Sequence, residues 1–523
     1  MCFIMAKRIR ATTNSSDPRA TLEHDLRTIY IKNNILVGLP KNFTGIFSHL
    51  SRPNTTAIVG AALGDEGKGR IVDNKIEELI KKKTISSVTV VRFQGGNNAG
   101  HTVEKEGIKL ALHLLPSFVF HEEAKGIMDR GMVVNPEDLR TEVAYVEDVV
   151  GSLQHRLFLS DDAILCTDLE RAEEFLNGYL QEGSKGGTGR GIGPSYAHHY
   201  DKTGLRIADL FKADWESRLL KRYEQYEKLF QAFDLKLSQI DIPDFSATVK
   251  EKKAMKRIVG SKRIFLEKVR DSRAWLLKRK LISNTYPLHE KLSQDTRAAI
   301  VFEGAQAAGL DSWIGTRPDV TSSNTTIYGV RDGTGYWRLQ DIEERIGILK
   351  LPYTSSVGAR EMPTHIALPK NPQDKSPKTK DQQWASFVRE TAHEYGTTTG
   401  RPRDINIVDL PFLSYNTKMS GIETLMATHL DICRAEDSIK ICTHYTDKQG
   451  HVVPYQPGLR YLKNVIPQYT KVPGWDGAAC QKAKNAENLP IHALKFLAFI
   501  QARLKNPITA ITTGPARANF IRF

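Results

Sequence analysis

The sequence predicts an α/β fold in three layers: helices cover a mostly parallel central sheet, with helical insertions and small β-hairpins added. Two observations predict this class. The first is a short β-rich apolar run, "TTAIVGAAL", followed by a glycine loop, the helix-periodic "GKGRIVDNKIEELIKKK" and a second strand-like run, "SSVTVVRFQGG". This order forms a βαβ unit, whose two strands run parallel. The second is the return of strand-like runs at "AAIVFEG", "IGILKLPY" and "SIKICTHY".

Side-chain spacing predicts the individual elements. The first helix has an apolar stripe and ends in lysines, which suit the negative end of a helix dipole. Its stripe comprises Ile71, Val72, Ile76, Leu79 and Ile80. Residues 212–290 are predicted to be helical, with a core-packing stripe formed by Leu219, Leu220, Tyr223, Tyr226, Leu229 and Phe230. "SIKICTHY" is predicted to form a hairpin through "DKQG" with "HVVPY", and "PKNPQDKSPKTKDQQ" to be a solvated loop.

Composition limits the class of protein. A chain of 523 residues with 40% hydrophobic content can bury one large core or two to three domains. No apolar run approaches the roughly 20 residues that cross a bilayer, so we expect a soluble protein without a membrane partner. The five cysteines are scattered without metal-ligand spacing, which favours a reducing, cytoplasmic compartment. The net charge of +14 is not arranged as a basic stripe with aromatics, so it favours anionic small molecules over nucleic acid.

Residues 1–53 differ from the rest of the chain. The opening "MCFIMAKRIRATTNSS" is basic and rich in hydroxyl groups, and no acidic residue precedes Asp17. We expect a poorly ordered extension, and organellar targeting stays open as an alternative. Residues 54–523 are predicted to form the functional domain.

The loop "GDEGKG" departs from the usual phosphate-binding loop. In GxxxxGK[ST] the final hydroxyl ligates Mg²⁺, but here Lys68 is followed by Gly69. Asp65, three residues before the lysine, can supply an oxygen ligand instead, so that the metal neutralises both carboxylate and phosphate. A purely structural role for Asp65, as the cap of the helix, is the alternative.

The strand after this helix leads into "QGGNNAGHT", residues 94–102. This segment delivers Asn98, Gly100, His101 and Thr102 to the same edge of the predicted sheet. Because imidazole titrates near neutrality, His101 can donate a proton or a hydrogen bond to a phosphoryl group during its transfer.

A set of motifs now identifies a family. "GDEGKGRIVD", "QGGNNAGHT", "GTGRGIGPSY", "VFEGAQ", "VTSSNTT", "TTTGRPR", "THLD", "PGW" and "TTGP" occur in order over residues 55–520, and together they resemble the adenylosuccinate synthetases. The resemblance implies a P-loop-NTPase-like GTP site and a C–N-forming ligase of purine biosynthesis. Such an enzyme joins L-aspartate to IMP, through a 6-phosphoryl intermediate, while GTP becomes GDP and phosphate. It also implies Mg²⁺ and a homodimer.

The same resemblance implies residue roles. Catalysis is assigned to Asp65, His101, Lys68 and Gln306, and Mg²⁺ binding to Asp65 and the carbonyl of Gly100. GTP binding is assigned to Gly64, Asp65, Glu66, Gly67, Lys68, Gly69, Arg70, Gly100, His101, Thr102, Arg403, His429, Leu430, Asp431, Thr512, Thr513 and Gly514. Binding of IMP and aspartate is assigned to Asn98, Ala99, Thr188, Lys202, Gln306, Thr321, Thr397, Thr398, Thr399, Gly400 and Arg401.

Some positions depart from the family pattern. His429 stands in place of a lysine, Gly187 in place of a threonine, and Lys202 in place of an arginine that reaches across the dimer. None of these removes the base or the phosphate lysine, so we expect the chemistry to persist. Two alternatives stay open: a divergent paralogue that couples an amino acid to a modified purine nucleotide, and a non-catalytic GTP-binding regulator.

Overall fold

The computed structural model of the protein describes residues 54–180, 187–251, 255–356, 362–368, 379–396 and 402–523. The strands in these residues are β1 Asn54–Gly60, β2 Ser87–Arg92, β3 His101–Lys105, β4 Ile108–Leu112, β5 Ala124–Met128, β6 Val133–Val134, β7 Leu157–Ser160, β8 Ile164–Leu165, β9 Asp241–Asp244, β10 Met255–Ile258, β11 Ile282–Ser283, β12 Ala298–Glu303, β13 Glu344–Lys350, β14 Tyr353–Ser356, β15 His365–Ile366, β16 Asp404–Asp409, β17 Thr424–Thr428, β18 Ser438–Thr446, β19 Val452–Val453, β20 Ile466–Pro473, β21 Ile508–Thr512 and β22 Phe520–Arg522.

The α-helices of the same residues are α1 Lys68–Lys81, α2 Pro136–Val150, α3 Asp168–Leu180, α4 Ile192–Tyr200, α5 Trp215–Gln231, α6 Phe245–Glu251, α7 Lys262–Arg279, α8 Tyr286–Gln294, α9 Gly329–Thr334, α10 Lys380–Thr391, α11 Leu410–Met419, α12 Leu459–Leu462, α13 Gly477–Lys482 and α14 Ile491–Leu504. In this part of the chain, no helix has both the length and the apolar character that a membrane span requires.

A ten-stranded sheet forms the centre of the molecule, in the order β11-β7-β5-β2-β12-β1-β13-β17-β21-β22. Neighbouring strands are parallel up to β21, and β22 alone is antiparallel to its neighbour. Large apolar clusters pack on the sheet and include residues of α1 and α2 as well as residues of α11 and α14. The α/β class with a mostly parallel central sheet is therefore confirmed.

The βαβ unit is present, but its two strands are not neighbours. Helix α1 buries Ile71, Val72, Ile76 and Leu79 as its periodicity predicts. However, β12 lies between β1 and β2, paired with both of them. The strand directly beside β1 and its phosphate loop is therefore not β2. The strand that sequence reasoning left unplaced, "AAIVFE", occupies that position and brings "GAQ" to the same edge.

Three further expectations need correction. The segment 212–290 is not helical throughout, because β9 and β10 pair antiparallel within it. Leu229 does not share the buried stripe of α5; 41% of it is exposed. The end of the predicted solvated loop is helical, since α10 begins at Lys380, where the Thr379 hydroxyl accepts a hydrogen bond from Gln382 N–H. The hairpin of β18 and β19 is confirmed.

Candidate active site

The phosphate loop leads from β1 into α1 and is closed by left-handed backbone. The φ angles are 94° at Gly64, 57° at Asp65 and 86° at Gly67, so glycine at two of these positions avoids the Cβ clash. Glu66 lies buried beneath the loop: Oε1 accepts from Gly64 N at 2.7 Å and Oε2 from Lys68 Nζ at 2.8 Å. Glu66 therefore braces the loop from inside and pairs with Lys68.

Asp65, in contrast, points out of the loop, and 35% of its side chain is exposed. It forms an ion pair with Nη1 of Arg403, which also lies 2.9 Å from Oε2 of Glu394. Glu394 also accepts from Lys350 Nζ and Tyr353 OH, both at 2.5 Å. Burial raises the pKa of Glu394, but Lys350 and the other neighbouring cations outweigh it and hold that pKa well below its usual range. Arg403 thus links a buried ionised carboxylate to Asp65.

His101 opens β3 against the first turn of α1. A Cβ added at Gly69 would lie 3.0 Å from the Cβ of His101, so the two segments are in contact. Nδ1 of His101 lies 2.5 Å from Oε1 of Glu303, which also accepts from the Ser117 hydroxyl at 2.5 Å. Burial lowers the pKa of His101, and Glu303 only partly offsets this. The neutral ring therefore donates its Nδ1 proton to Glu303, which leaves Nε2 available to a substrate.

The loop after β12 contains Gln306, whose amide oxygen and nitrogen are both buried without a hydrogen-bond partner. A Cβ at Gly95 would lie 3.2 Å from Gln306 Oε1 and 3.7 Å from Asn98 Oδ1, so both amides lie close to this glycine. A Cβ at Gly60 would lie 2.7 Å from the Gln306 carbonyl, so this loop also packs against the end of β1. Because unpaired buried amides are costly, Gln306 is placed to receive a polar ligand.

A second glycine-rich loop, residues 187–193, leads into α4. Its N–H groups at Gly189 and Gly191 donate to the two oxygens of Glu174, at 2.9 and 2.6 Å. A Cβ at Gly187 would lie only 1.8 Å from Glu174 Oε1, so a larger residue there would require the Glu174 side chain to move. The exposed Thr188 follows directly.

Helix α4 connects this loop to the other site segments. A Cβ at Gly193 would lie 3.6 Å from Ser322 Oγ, beside Thr321, and a Cβ at Gly96 would lie 2.7 Å from Ile192 Cδ1. The segments that carry Thr188, Thr321 and Asn98 therefore converge on the start of α4.

Two loops at the ends of the neighbouring strands β17 and β21 lie side by side. Leu430 N donates to Thr512 O at 3.2 Å, and both Leu430 and Thr513 are buried. Asp431 Oδ2 accepts from Gln481 Nε2 at 3.0 Å. Burial raises the pKa of Asp431, although the hydrogen bond from Gln481 opposes this. The predicted base-binding residues of the two loops are thus brought together.

His429 lies between these two loops and the phosphate loop. Its Nδ1 is 3.0 Å from the hydroxyl of Thr428, which itself donates to Glu66 O at 3.0 Å. The ring must therefore donate through Nδ1. Burial, together with the charge of Lys350, lowers the pKa of His429 to about 4, so the ring is neutral at physiological pH. Its edge-to-face contact with Tyr353 has a centroid distance of 5.8 Å.

Most predicted site residues thus lie at one edge of the sheet, but some do not fit this description. Thr397, Thr398, Thr399, Gly400 and Arg401 lie outside the described residues. Lys202 is exposed beyond the end of α4, and the Arg70 side chain is bonded to the carbonyls of Gly514, Ala516 and Asn519. Sequence reasoning missed Glu303, Glu394, Gln481 and Glu174 as partners of site residues; only Glu303 lay inside a quoted motif, "VFEGAQ".

Comparison with known proteins agrees with this geometry. The family model described as adenylosuccinate synthetase matches residues 57–521. The chain belongs to the adenylosuccinate synthetase family. Adenylosuccinate synthetase from Hydrogenobaculum sp. is 33% identical over 470 residues, which cover 89% of this chain and 98% of the relative. That from Aquifex aeolicus is 33% identical over 472 residues, covering 89% and 96%.

A solved structure, fully ligated adenylosuccinate synthetase from Plasmodium falciparum, matches with a TM-score of 0.76 and 29% identity. The match covers 90% of this chain and all of that one. As a member of the adenylosuccinate synthetase family, the chain is a C–N-forming ligase. It joins aspartate to IMP in a GTP-dependent reaction of purine biosynthesis.

Proposed function

We propose that this synthetase makes adenylosuccinate in two chemical steps, with Asp65 as the base and His101 as the group that stabilises the transferred phosphoryl. The observation that carries the proposal is the convergence of Asp65, the Glu303-held His101 and the unpartnered amide of Gln306 at one sheet edge. A base, a phosphoryl-binding group and a purine-binding amide are the parts that activation of a purine oxygen requires.

In the first step, Asp65 removes the N1 proton of IMP, and purine O6 attacks the γ-phosphorus of GTP. The bond between that phosphorus and the β–γ bridging oxygen breaks, so GDP leaves and a 6-phosphoryl purine forms. Lys68 begins α1, and His101 packs against the first turn of that helix; both stabilise the charge on the transferred group. A positioned acid–base group such as Asp65 typically contributes about 10²–10⁴-fold.

In the second step, the aspartate amine attacks C6, the amine loses a proton and inorganic phosphate departs with the C6–O6 bonding pair. Phosphate is a far better leaving group than oxide, which is why the first step is needed. Aspartate is assigned to the loop of Thr397, Thr398, Thr399, Gly400 and Arg401, with Arg401 as a bidentate partner for a carboxylate.

Nucleotide binding is divided between two sets of loops. The backbone from Gly64 to Arg70 wraps the GTP phosphates, Arg403 lies near the ribose, and Asp431 accepts from the guanine donors beside Leu430 and Thr512–Gly514. IMP is bound by Asn98, Ala99, Thr188, Gln306 and Thr321. The neutral His429 replaces a positive charge near the guanine by an uncharged ring.

Mg²⁺ fits the donor set. The described residues contain no group of three or more His, Cys, Asp or Glu that could hold a metal unaided. Magnesium is commonly held by one or two carboxylates and substrate phosphates, so Asp65 and the Gly100 carbonyl would suffice with the nucleotide. When bound, the ion neutralises charge on the phosphates. Asp65 must then leave its ion pair with Arg403 at least in part.

Beyond the reaction, we propose a cytoplasmic homodimer without nucleic-acid or membrane partners, in which residues 54–523 are one ligase domain behind an extension, residues 1–53. The exposed Lys202 would reach the partner's nucleotide phosphate as a point charge. Light scattering at micromolar concentration tests the dimer, and a monomer under turnover conditions contradicts it.

The decisive experiment measures phosphate release from GTP with and without aspartate across IMP, GMP and 2-aminopurine monophosphate. We expect turnover with IMP and aspartate together. Turnover with GMP or 2-aminopurine monophosphate, but not with IMP, would indicate a divergent paralogue. GTP binding without any turnover would indicate a regulator. Asp65→Asn should abolish turnover and retain GTP binding in calorimetry, because it removes the base but keeps the loop.

A further inference from the structure

Arg70 belongs to the phosphate-loop helix, but its side chain is bonded to a different loop. Its Nη1 donates to Gly514 O, and its Nη2 donates to Ala516 O and, at 2.9 Å, to Asn519 O. Burial lowers the pKa of Arg70 to about 10, and the carboxylates around it only partly offset this. Most donors of this guanidinium thus bind three carbonyls of the loop 513–519, not a carboxylate.

That loop is folded around the guanidinium. Its internal bonds run from Thr513 N to Asn519 O at 3.0 Å and from Asn519 N to Ala516 O at 2.9 Å. The carbonyls of Ala516 and Asn519 therefore each accept from the loop backbone and from Arg70. Three convergent carbonyl dipoles repel one another unless a donor lies between them, so the loop conformation depends on Arg70.

A continuous hydrogen-bond path leads from this loop to Asp431. Asn519 Oδ1 accepts from Ala516 N at 3.1 Å, and Asn519 Nδ2 donates to Gln481 O at 3.1 Å. Gln481 Nε2 then donates to Asp431 Oδ2 at 3.0 Å. The carboxylate assigned to guanine is therefore oriented through the loop that Arg70 holds.

A second arginine, Arg517, extends from the loop 513–519 to helix α1. Nε of Arg517 lies 2.9 Å from Oδ2 of the buried Asp73 and 3.1 Å from Oε2 of Glu77. Residues 70, 73 and 77 occupy one face of α1, three and four positions apart. The two arginines thus cross between the same two segments in opposite directions, and we call them the arginine clamp.

We propose that the arginine clamp is the positioning device for base selection: Arg70 and Arg517 fix the loop 513–519 on α1, and through Gln481 the loop orients Asp431 toward a guanine base. The inference rests on the proposed binding of GTP by these loops. It assigns the Arg70 side chain to the choice of base, and not to neutralising the phosphates.

Calorimetry with GTP and ATP in the presence of Mg²⁺ tests this on the full chain. In Arg70→Met we expect GTP affinity to fall about 10-fold while ATP affinity stays unchanged, because hydrogen bonds to a charged group are lost on the base side only. Arg70→Lys should also lower GTP affinity, since an ammonium does not reproduce the planar fork of the guanidinium. Gln481→Met removes the hydrogen bond from Gln481 to Asp431 in the same path. This variant tests the inference if Arg70→Met does not fold.

Arg522→Gln is the matched control, because Arg522 pairs with Glu78 of the same helix from β22, beyond the loop. It should leave both affinities unchanged. Equal losses for GTP and ATP in Arg70→Met would assign Arg70 to the phosphates and overturn the clamp, as would an unchanged preference for GTP. Absence of turnover in the wild-type protein would contradict the proposed reaction but not these affinities.

Discussion

Four carboxylates near the site have different structural roles that the sequence does not distinguish. Glu66 is buried and braces the phosphate loop, Glu303 holds His101, and Glu174 binds two N–H groups of the second glycine loop. Asp65 alone among these four faces outward from a phosphate loop, where it meets Arg403. Negative charge in a phosphate-binding loop is therefore tolerated because Lys68 neutralises Glu66 inside the loop and Arg403 neutralises Asp65 outside it.

Glu303→Gln tests the support of His101. The amide keeps the shape but cannot stabilise positive charge that develops on the ring, so we expect kcat to fall about 10–100-fold with little change in KM for GTP. Steady-state kinetics provides the measurement. The loss should not add to that of His101→Asn in the double variant, and fully additive losses would show that the two residues act separately.

The lowered pKa of His429 predicts how stability depends on pH. An unfolded histidine binds a proton below about pH 6.5, whereas the folded ring resists protonation until about pH 4, so stability falls as pH drops through this window. Between pH 7.5 and 5.0 the loss from this residue is at most about 2 kcal/mol. Urea unfolding of wild type and His429→Gln at both pH values measures it. Equal losses in the two proteins would mean that His429 is protonated when folded.

At the scale of elements, the site is built where strands end and helices begin. β1, β12, β17 and β21 each lead into a site loop at the carboxyl edge of the sheet, as expected for ligand sites of parallel sheets. Left-handed glycines form the tight turns before α1 and α4, at Gly67 and Gly191.

Gly67→Ala tests the backbone requirement. An added Cβ would meet only Thr428 Cγ2, at 3.6 Å, so the cost comes from the positive φ and should be roughly 1–2 kcal/mol. We expect a lower melting temperature and a higher KM for GTP. Gly178→Ala in α3 is the matched control, because an added Cβ there meets nothing within 4 Å. Since alanine has a higher helix propensity than glycine, this variant should be at least as stable as the wild-type protein. Unchanged stability of Gly67→Ala would contradict the argument.

For the whole molecule, the position of β1 predicts which part of the chain the central sheet requires. It lies in the middle of the sheet, with Asn54 already paired to Ala299 of β12. A chain that begins at this strand retains every pairing that the structure describes in the central sheet. A truncation within β1 instead exposes the edges of its two neighbouring strands, β12 and β13.

Removal of residues 1–53 should therefore leave activity unchanged and shift Tm by less than about 2 °C. Removal of residues 1–60 deletes the central strand and should give insoluble protein. Differential scanning calorimetry and phosphate release measure both. A large loss of activity on the shorter truncation would show that the extension belongs to the ligase domain.

The sequence alone determined the class of fold, the βαβ unit and the family, because periodicity is local and the family motifs are contiguous. Tertiary structure decided what depends on contacts between distant residues: the insertion of β12 between β1 and β2, the pairing of Glu303 with His101, and the arginine clamp. No local spacing encodes these. Strand order depends on how the whole sheet packs. The ion-pair partner of a buried charge is fixed only in the folded chain, where residues distant in sequence come into contact away from water.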